Sequence, residues 1–304
     1  MTSRKIALAP PCPLAGALAG AVAAGGGEPV DDPSEAAGLV WCHHRPGHLG
    51  DLLAASQGLS WVQLPYAGIE EFRGLLDDSR AWSCAKGIYG PVVAEFGLGL
   101  ILAGLRHLDR YARMRRWEPL SQRTLAGSRV LMLGAGGIGA SLGRMLVALE
   151  AEVRFVSRSG GRVDALESRP LSALFEEVAA ADVVVLALPL TAETTGLVDG
   201  RFLAAMKRGA WLVNLARGRV VVTDELVTAL EAGRIGGAAL DVTDPEPLPP
   251  EHRLFELDNA LITPHVANTP EIGTAALGRL VTENTRRFLA GEPLLGLVDP
   301  GLGY

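Results

Sequence analysis

The sequence predicts an α/β protein of two domains, each built around a doubly wound parallel sheet. Three observations lead to this fold class. Short apolar runs of strand length alternate with helical patterns, a glycine-rich turn connects one such strand to a helix, and 304 residues exceed the size of one ordinary domain. Hydrophobic residues make up 48% of the chain and charged residues 20%, a balance that allows each domain to bury a core.

The first third of the chain is predicted to form a small flavodoxin-like α/β domain. Its apolar runs are short and bounded by Gly, Pro or polar residues, which is typical of strands in a parallel sheet. A helix is expected over Leu14–Ala24, directly after the first strand. The predicted strands are Lys5–Ala9, Leu39–Cys42, Trp61–Leu64 and Trp82–Ala85.

A long helical pattern then begins at Pro91, a residue suited to the first turn of a helix. The pattern is apolar at first and basic later, and Trp117 and Pro119 end it, so we predict one continuous helix connecting the domains. Five arginines in this stretch are typical of the solvated face of a helix. They are Arg106, Arg110, Arg113, Arg115 and Arg116.

From Arg129 onward, strands and helices alternate regularly, which predicts a Rossmann-type sheet of six strands. The predicted strands are Val130–Leu133, Val153–Val156, Val183–Leu188, Trp211–Leu215, Gly237–Asp241 and Leu261–Thr263. The predicted helices are Ile138–Leu149, Ser172–Ala180, Arg201–Met206 and Asp224–Ala232. A last helix, Glu271–Ala290, could pack back on the first domain. We therefore predict a substrate domain of residues 1–90 and 272–304 and a dinucleotide-binding domain of residues 91–271.

The glycine-rich turn, GAGGIG at 134–139, lies between a predicted strand and a predicted helix. A Gly-x-Gly-x-x-Gly pattern alone is weak, but in this context it indicates a nucleotide site. The first glycine permits the tight turn, the second lets the backbone approach a pyrophosphate, and the third allows close helix–sheet packing. The residues expected to contact the cofactor here are Gly134, Gly136, Gly137, Ile138 and Gly139.

The end of the next strand bears on the choice between NAD(H) and NADP(H). Ser157 stands 23 residues after Gly134, where NAD-binding sheets carry an acid for the ribose 2′-hydroxyl, and Arg158 follows it. With no carboxylate to repel a 2′-phosphate and a guanidinium able to pair with one, NADP(H) is favoured and NAD(H) remains possible. Alternatively, Arg158 stacks on the adenine while either cofactor binds. Arg162 could assist or be solvated.

Five segments, in order along the chain, resemble the D-isomer-specific 2-hydroxyacid dehydrogenase family. The resemblance extends over about the whole chain and is tightest from Gly134 to Ala267. The segments are LGAGGIG at 133–139, ALPLTAETTGLVD at 187–199, VNLARGRVVVTDEL at 213–226, ALDVTDPEPLP at 239–249 and LITPHVANTP at 261–270.

This resemblance implies catalytic roles for three residues. Arg217 matches the family arginine that binds the substrate carboxylate. His265 matches the acid that protonates the ketone oxygen, and Glu246 matches the carboxylate that is paired with this histidine. Reduction of a 2-keto acid requires the same residue types. An imidazolium is a proton donor effective near neutral pH, a neighbouring carboxylate raises the pKa of the imidazole, and a guanidinium orients the carboxylate of the substrate. Taken singly, Arg217 could be a surface charge, Glu246 a solvated turn acid and His265 a loop histidine.

The resemblance also extends to binding residues. Tyr66, Ala67 and Gly68 match a loop whose backbone N–H groups hold the substrate carboxylate, although an ordinary strand-to-helix turn is a close alternative. Asp241 matches an acid near the nicotinamide end of the cofactor. The loop with Leu188 and Pro189 flanks the nicotinamide ribose, or simply forms an apolar wall. The further cofactor contacts expected are Leu188, Pro189, Thr194, Ala216 and Asp241.

Small-substrate reductases acting on glyoxylate or hydroxypyruvate fit the chain best. Formate dehydrogenases of the same family carry glutamine where Glu246 stands, which disfavours that activity. A nucleotide-binding corepressor or sensor of related fold is the alternative, but the presence of both Glu246 and His265 favours an enzyme. Family members are usually dimers through the nucleotide domain, so a homodimer is expected.

Composition limits the other partners. The formal net charge of −6 gives no support for nucleic-acid binding, and the three cysteines form neither a disulfide framework nor a zinc motif, so no metal is expected. No uninterrupted apolar run reaches the length of a membrane span. The Ala-rich stretch after Arg4 and Lys5 imitates a secretory signal, but Pro10, Pro11 and Pro13 break it, so a cytoplasmic protein is expected.

Overall fold

The computed structural model describes residues 4–301, which divide into two compact units. One unit comprises the described residues up to Tyr89 together with those from Thr269 onward, and the other is Gly90–Asn268. The first predicted boundary, between residues 90 and 91, lies one residue later than the observed one. The second predicted boundary, between residues 271 and 272, lies three residues later.

Both units consist of strands and helices that alternate along the chain. The strands are β1 (Lys5–Ala9), β2 (Glu28–Val30), β3 (Gly38–Trp41), β4 (Trp61–Gln63), β5 (Ala81–Ser83), β6 (Arg129–Leu133), β7 (Glu152–Ser157), β8 (Ser159–Val163), β9 (Leu166–Pro170), β10 (Val183–Leu186), β11 (Trp211–Asn214), β12 (Gly237–Leu240) and β13 (Ala260–Ile262). The α-helices are α1 (Ala15–Ala24), α2 (Leu49–Ala55), α3 (Gly90–Arg106), α4 (Leu108–Arg113), α5 (Gly137–Ala148), α6 (Leu174–Ala180), α7 (Gly200–Ala205), α8 (Thr223–Glu231) and α9 (Pro270–Ala290).

The smaller unit contains a parallel sheet in the order β2-β1-β3-β4-β5, which is the flavodoxin-like order. The predicted fold class of this unit is confirmed. Strand β2 was not predicted, because Glu28–Val30 is a short edge strand that contains a proline and buries no residue fully. Helix α9 packs against α1, where Thr282 Oγ1 donates a hydrogen bond to the carbonyl oxygen of Ala21 at 3.0 Å.

The larger unit contains a Rossmann-type sheet in the order β13-β12-β11-β10-β6-β7-β9-β8, parallel except for the last pair. The six predicted strands are all present with shifted ends, but the predicted sheet was too small. The β8–β9 hairpin extends it at one edge. Its sequence, 159–170, is polar and contains two positive-φ glycines, Gly160 and Gly161, so it lacks the apolar run on which strand prediction relies.

The prediction of one continuous helix after Pro91 was wrong. Helix α3 ends at Arg106, because His107 adopts a left-handed conformation with φ of 50°, and α4 then ends at Arg113. The ring of His107 is hydrogen-bonded through Nε2 to the carbonyl oxygen of Ser121 at 2.9 Å, which holds the chain at this break. Arg115 and Arg116 therefore lie beyond the helix on whose face they were predicted.

Within residues 4–301, no helix combines the length and the apolar character that crossing a membrane requires.

Candidate active site

The three predicted catalytic residues lie at one edge of the larger sheet. Arg217 follows β11, Glu246 follows β12 and His265 follows β13. These strands are parallel neighbours, so their carboxyl ends meet at the same edge, where open α/β sheets bind ligands. The topology thus brings together three residues that are far apart in the chain.

His265 and Glu246 form a hydrogen-bonded ion pair. The Nδ1 atom of His265 lies 2.7 Å from Oε1 of Glu246, and both side chains are about half-exposed. When Nδ1 binds the carboxylate, Nε2 is the ring nitrogen that can deliver a proton to a substrate. The pair therefore has the geometry of a general acid oriented by a carboxylate.

The two pKa values shift in the directions that this pair requires. The hydrogen bond to Glu246 raises the pKa of His265 above its usual value; the charges of Glu246 and Asp241 add to the effect, while burial and Arg217 oppose it. The same hydrogen bond lowers the pKa of Glu246, assisted by the charges of His265 and Arg217 and opposed by burial. The contact therefore favours the imidazolium–carboxylate state of the pair over the state in which both groups are neutral.

Asp241 anchors the turn that carries His265. Asp241 is 2% exposed, and its carboxylate accepts hydrogen bonds from Thr263 Oγ1 at 2.7 Å, from the Val266 amide at 2.9 Å and from the Ala267 amide at 3.1 Å. Its backbone carbonyl accepts a hydrogen bond from the His265 amide at 2.8 Å. These contacts hold His265 in the left-handed region, with φ of 54°. The sequence-based assignment of Asp241 to the cofactor stays a prediction.

Arg217 is held in a turn that packs closely on the segment leading to Glu246. Asn214, 1% exposed, accepts a hydrogen bond from the Ala216 amide and donates one to the Arg217 carbonyl, both at 3.0 Å. A Cβ atom at Gly218 would overlap the carbonyl of Thr243, so only glycine allows this approach. The Arg217 side chain donates to the Ala216 carbonyl at 2.7 Å, and its charge acts on both members of the His265–Glu246 pair.

The glycine-rich turn has the geometry that a dinucleotide needs. Gly134 has φ of 113°, and a Cβ there would overlap the carbonyl of Ala187. A Cβ at Gly139 would overlap the carbonyl of Gly134, so α5 packs closely on the turn. In contrast, no heavy atom lies within 4 Å of a Cβ built at Gly136. Open space thus lies beside the N-terminus of α5, where a phosphate can approach backbone N–H donors.

Five other predicted cofactor residues lie in α5 or in the loop after β10. Gly137 and Ile138 form the first turn of α5, and Leu188, Pro189 and Thr194 belong to the loop after β10, the strand beside β6. Thr194 Oγ1 donates to the Pro189 carbonyl at 2.7 Å, which braces this loop.

At the end of β7, the structure gives the three candidate phosphate-binding residues different surroundings. The hydroxyl of Ser157 is hydrogen-bonded to that of Ser168 at 2.8 Å, and Arg162 donates to a backbone carbonyl in the β8–β9 turn at 2.6 Å. The side chain of Arg158 is 75% exposed, and its Nη2 atom lies 3.9 Å from Oε2 of Glu193.

Tyr66, Ala67 and Gly68 belong to the smaller unit, where they follow β4 at the carboxyl edge of its sheet. Burial raises the pKa of Tyr66, whose ring centroid lies 6.3 Å from that of Tyr89. Their predicted role in holding a substrate carboxylate stays a prediction.

Sequence reasoning missed two residues that position the site, Asn214 and Thr263. Asn214 ends β11 and bonds to the turn that carries Arg217, whereas Thr263 directly follows β13 and donates to the Asp241 carboxylate that anchors the turn of His265. A polar residue at such a place is a signal that can be read from sequence, since buried polar groups need partners.

Residues 98–267, more than half of the chain, match the family model of the D-isomer specific 2-hydroxyacid dehydrogenase NAD-binding domain. The chain belongs to this family. The predicted resemblance is confirmed, and the protein is an NAD(P)-dependent oxidoreductase that interconverts 2-keto and 2-hydroxy acids.

Three relatives illustrate the similarity. Glyoxylate/hydroxypyruvate reductase A of Serratia proteamaculans is 32% identical over 294 residues, which cover 91% of this chain and 90% of that protein. A D-isomer specific 2-hydroxyacid dehydrogenase of Xanthobacter autotrophicus Py2, solved with NADPH and MES, is 31% identical with a TM-score of 0.86 over 100% of both chains. The NADPH-dependent glyoxylate/hydroxypyruvate reductase of Sinorhizobium meliloti, solved with NADP and sulfate, is 27% identical with a TM-score of 0.84 over 99% of both chains.

Proposed function

We propose that this dehydrogenase uses NADPH to reduce a small 2-keto acid, of the glyoxylate or hydroxypyruvate type, to the 2-hydroxy acid, with D configuration where C2 is a stereocentre. The observation that carries the proposal is the His265–Glu246 pair, with Nδ1 and Oε1 2.7 Å apart, near the charge of Arg217. An oriented proton donor beside a guanidinium matches the two polar groups of a 2-keto acid.

Each residue of the site has one task in this reaction. The guanidinium of Arg217 binds the substrate carboxylate and orients the neighbouring ketone. As negative charge develops on the ketone oxygen, Nε2 of His265 donates its proton there, and the imidazole becomes neutral until solvent reprotonates it. Glu246 stabilises the charged imidazolium and fixes its orientation, and Asp241 holds the turn on which the ring is carried. When bound, the nicotinamide supplies the hydride that reduces C2.

The choice of NADPH rests on the end of β7. No carboxylate stands at Ser157 or Arg158, and the Arg158 side chain is 75% exposed, so it is accessible to a 2′-phosphate dianion. Two of the similar structures were solved with NADPH or NADP.

We also propose a homodimer formed through the nucleotide-binding unit. The family resemblance supports this arrangement, and the segment at and after α4 carries two exposed large apolar side chains, Leu108 at 54% and Trp117 at 104% exposure. Light scattering should give twice the chain mass of 31.9 kDa. A Trp117→Ser variant should shift the mass towards the monomer.

The expected location is cytoplasmic, because Pro10, Pro11 and Pro13 interrupt the signal-like stretch.

An activity assay tests the proposed reaction. NADPH and NADH oxidation should be followed at equal concentrations with glyoxylate, hydroxypyruvate, pyruvate and phenylpyruvate. We expect the first two substrates with NADPH to give the highest kcat/KM. A His265→Ala variant should bind NADPH normally but lose about 10²–10⁴-fold in kcat. Unchanged turnover would remove the proton-donor role, and NADPH binding without turnover of any 2-keto acid would contradict the proposed reaction.

A further inference from the structure

An ion pair connects the two loops that flank the glycine-rich turn. Arg158 follows β7 and Glu193 lies in the loop after β10, and these strands are the two neighbours of β6, which leads into the turn. Nη2 of Arg158 lies 3.9 Å from Oε2 of Glu193. The pair therefore links loops on either side of the nucleotide turn.

Glu193 is presented by an ordered turn. Thr191 Oγ1 donates a hydrogen bond to Oε2 of Glu193 at 2.8 Å, and the Thr191 amide donates to Thr194 Oγ1, also at 2.8 Å. The hydrogen bond from Thr191 and the charge of Arg158 lower the pKa of Glu193, so its carboxylate is ionised at neutral pH. A fixed negative charge thus stands close to the guanidinium.

The other polar groups at the end of β7 have different partners. Ser157 is hydrogen-bonded to Ser168, and Arg162 donates to the carbonyl of Ala165. A phosphate that approached the end of β7 would therefore meet the Arg158 guanidinium while Glu193 is already beside it. The phosphate would have to displace the Glu193 carboxylate from the guanidinium and would be repelled by the negative charge of that carboxylate.

We propose that Glu193 weakens the preference of this enzyme for NADPH by competing with the 2′-phosphate of NADPH for Arg158. The proposal rests on the proposed use of NADPH. NADH carries no 2′-phosphate and leaves the ion pair intact, whereas NADPH must displace Glu193. Glu193 therefore reduces the advantage that Arg158 gives to NADPH. Because both side chains are about three-quarters exposed, solvent screens the effect, and its size is modest.

The test is a pair of binding titrations on the full chain, without substrate. Glu193→Gln keeps a side-chain oxygen for Thr191 and removes the charge. We expect about two- to fivefold tighter NADPH binding, by protein fluorescence or calorimetry, with NADH affinity unchanged. The gain should shrink as salt rises, since the effect is electrostatic. A Glu193→Gln variant with an unchanged NADPH-to-NADH affinity ratio, or with weaker NADPH binding, would overturn the proposal.

Glu167→Gln is the matched control. Glu167 lies in the same unit and accepts a hydrogen bond from Arg154 Nη1 at 2.6 Å, so this variant also removes a carboxylate paired with an arginine. We expect it to leave both affinities unchanged; the same gain as in Glu193→Gln would mean that net charge alone is responsible, which would overturn the proposal. In an Arg158→Ala background, Glu193→Gln should give a smaller gain than in the wild type, and an equal gain would contradict competition for Arg158.

These titrations separate two failures. If the wild type prefers NADH, the proposed cofactor is wrong, but the affinity ratio of Glu193→Gln still reports whether Glu193 acts on Arg158. If NADPH binds neither the wild type nor the Glu193→Gln variant, Glu193 does not control the cofactor preference.

Discussion

Nδ1 of His265 lies 2.7 Å from Oε1 of Glu246, although the two residues are nineteen positions apart in the chain. Their meeting follows from the sheet, because β12 and β13 are parallel neighbours and each residue lies beyond the carboxyl end of its strand. The consequence is chemical: the hydrogen bond raises the pKa of the histidine and lowers that of the glutamate. Three predictions concern this edge of the sheet, one concerns Arg158 at the end of β7, and one concerns the nucleotide turn.

Replacing Glu246 with glutamine should change the pH dependence of catalysis. A histidine with a raised pKa remains protonated to higher pH, so the reduction rate holds below that pKa and falls as pH rises through it. Glu246→Gln replaces the charged hydrogen-bond acceptor of His265 with a neutral amide oxygen, which favours the imidazolium less, so the fall in kcat/KM for reduction should move to lower pH. The rise in the oxidation rate, which needs neutral imidazole, should move in the same direction. Identical profiles for the variant and the wild type would show that Glu246 does not control this proton.

Arg217→Lys should weaken substrate binding while preserving the charge. Lysine lacks the planar pair of donors that matches a carboxylate, so KM for the 2-keto acid should rise about 10–100-fold while the Kd of NADPH stays the same. Arg219→Lys is the control, because Arg219 is exposed and lies only two residues further along. Steady-state kinetics of both variants test the prediction. Equal, small effects would mean that Arg217 is a surface charge.

Asp241→Asn should loosen the turn that carries His265. An amide keeps one oxygen, but its NH2 group would face amide or hydroxyl donors that now bond to the carboxylate. We expect the free energy of unfolding to fall by about 1–3 kcal/mol and kcat to fall more than KM rises. Denaturant unfolding and steady-state kinetics measure these changes.

The Kd of NADPH for Asp241→Asn distinguishes two roles. If Asp241 positions His265, cofactor binding stays near the wild-type value. A loss confined to cofactor affinity, with normal kcat and stability, would instead support the assignment of Asp241 to the nicotinamide end of the cofactor.

The parts of the fold that could be predicted are those with strong local signals. The run Val183–Leu186 is apolar and buried throughout, and Trp211–Asn214 is buried throughout and apolar up to its last residue, so both strands were found to within two residues. The glycine spacing at 134–139 likewise requires a turn, because Gly134 adopts φ of 113°. The meeting of Arg217, Glu246 and His265 at one sheet edge followed from these strands.

The parts that could not be predicted depend on distant contacts. The long helix breaks at His107, whose ring is hydrogen-bonded to the carbonyl of Ser121. No local sequence pattern predicts this contact. The β8–β9 hairpin is polar, and its register depends on pairing with β7. The anchoring role of Asp241 could be predicted only from the way in which the turn at 263–267 folds over its carboxylate.

Arg158→Ala should weaken NADPH binding about 10–100-fold and leave NADH binding nearly unchanged. The reason is that a charge-assisted contact to the 2′-phosphate is lost, and NADH has no such phosphate. Parallel fluorescence titrations with the two cofactors measure the ratio. Equal losses for both would support the alternative in which the guanidinium stacks on the adenine.

Two alanine substitutions in the nucleotide turn should have opposite consequences. Gly136 has φ of −78°, and a methyl group there would meet no heavy atom within 4 Å, so Gly136→Ala should fold normally. The methyl group would instead occupy the space through which a phosphate approaches α5, so NADPH affinity should fall about tenfold or more.

Gly134→Ala supplies the contrast. Its Cβ would overlap the carbonyl of Ala187, and φ of 113° is a backbone conformation that alanine rarely adopts. This variant should therefore be less stable than the wild type even in the absence of cofactor. Thermal unfolding and NADPH titration of the two variants separate the roles of the glycines. Normal NADPH affinity in a folded Gly136→Ala protein would mean that the phosphates do not pass over this turn, and the nucleotide would have to bind elsewhere in the unit.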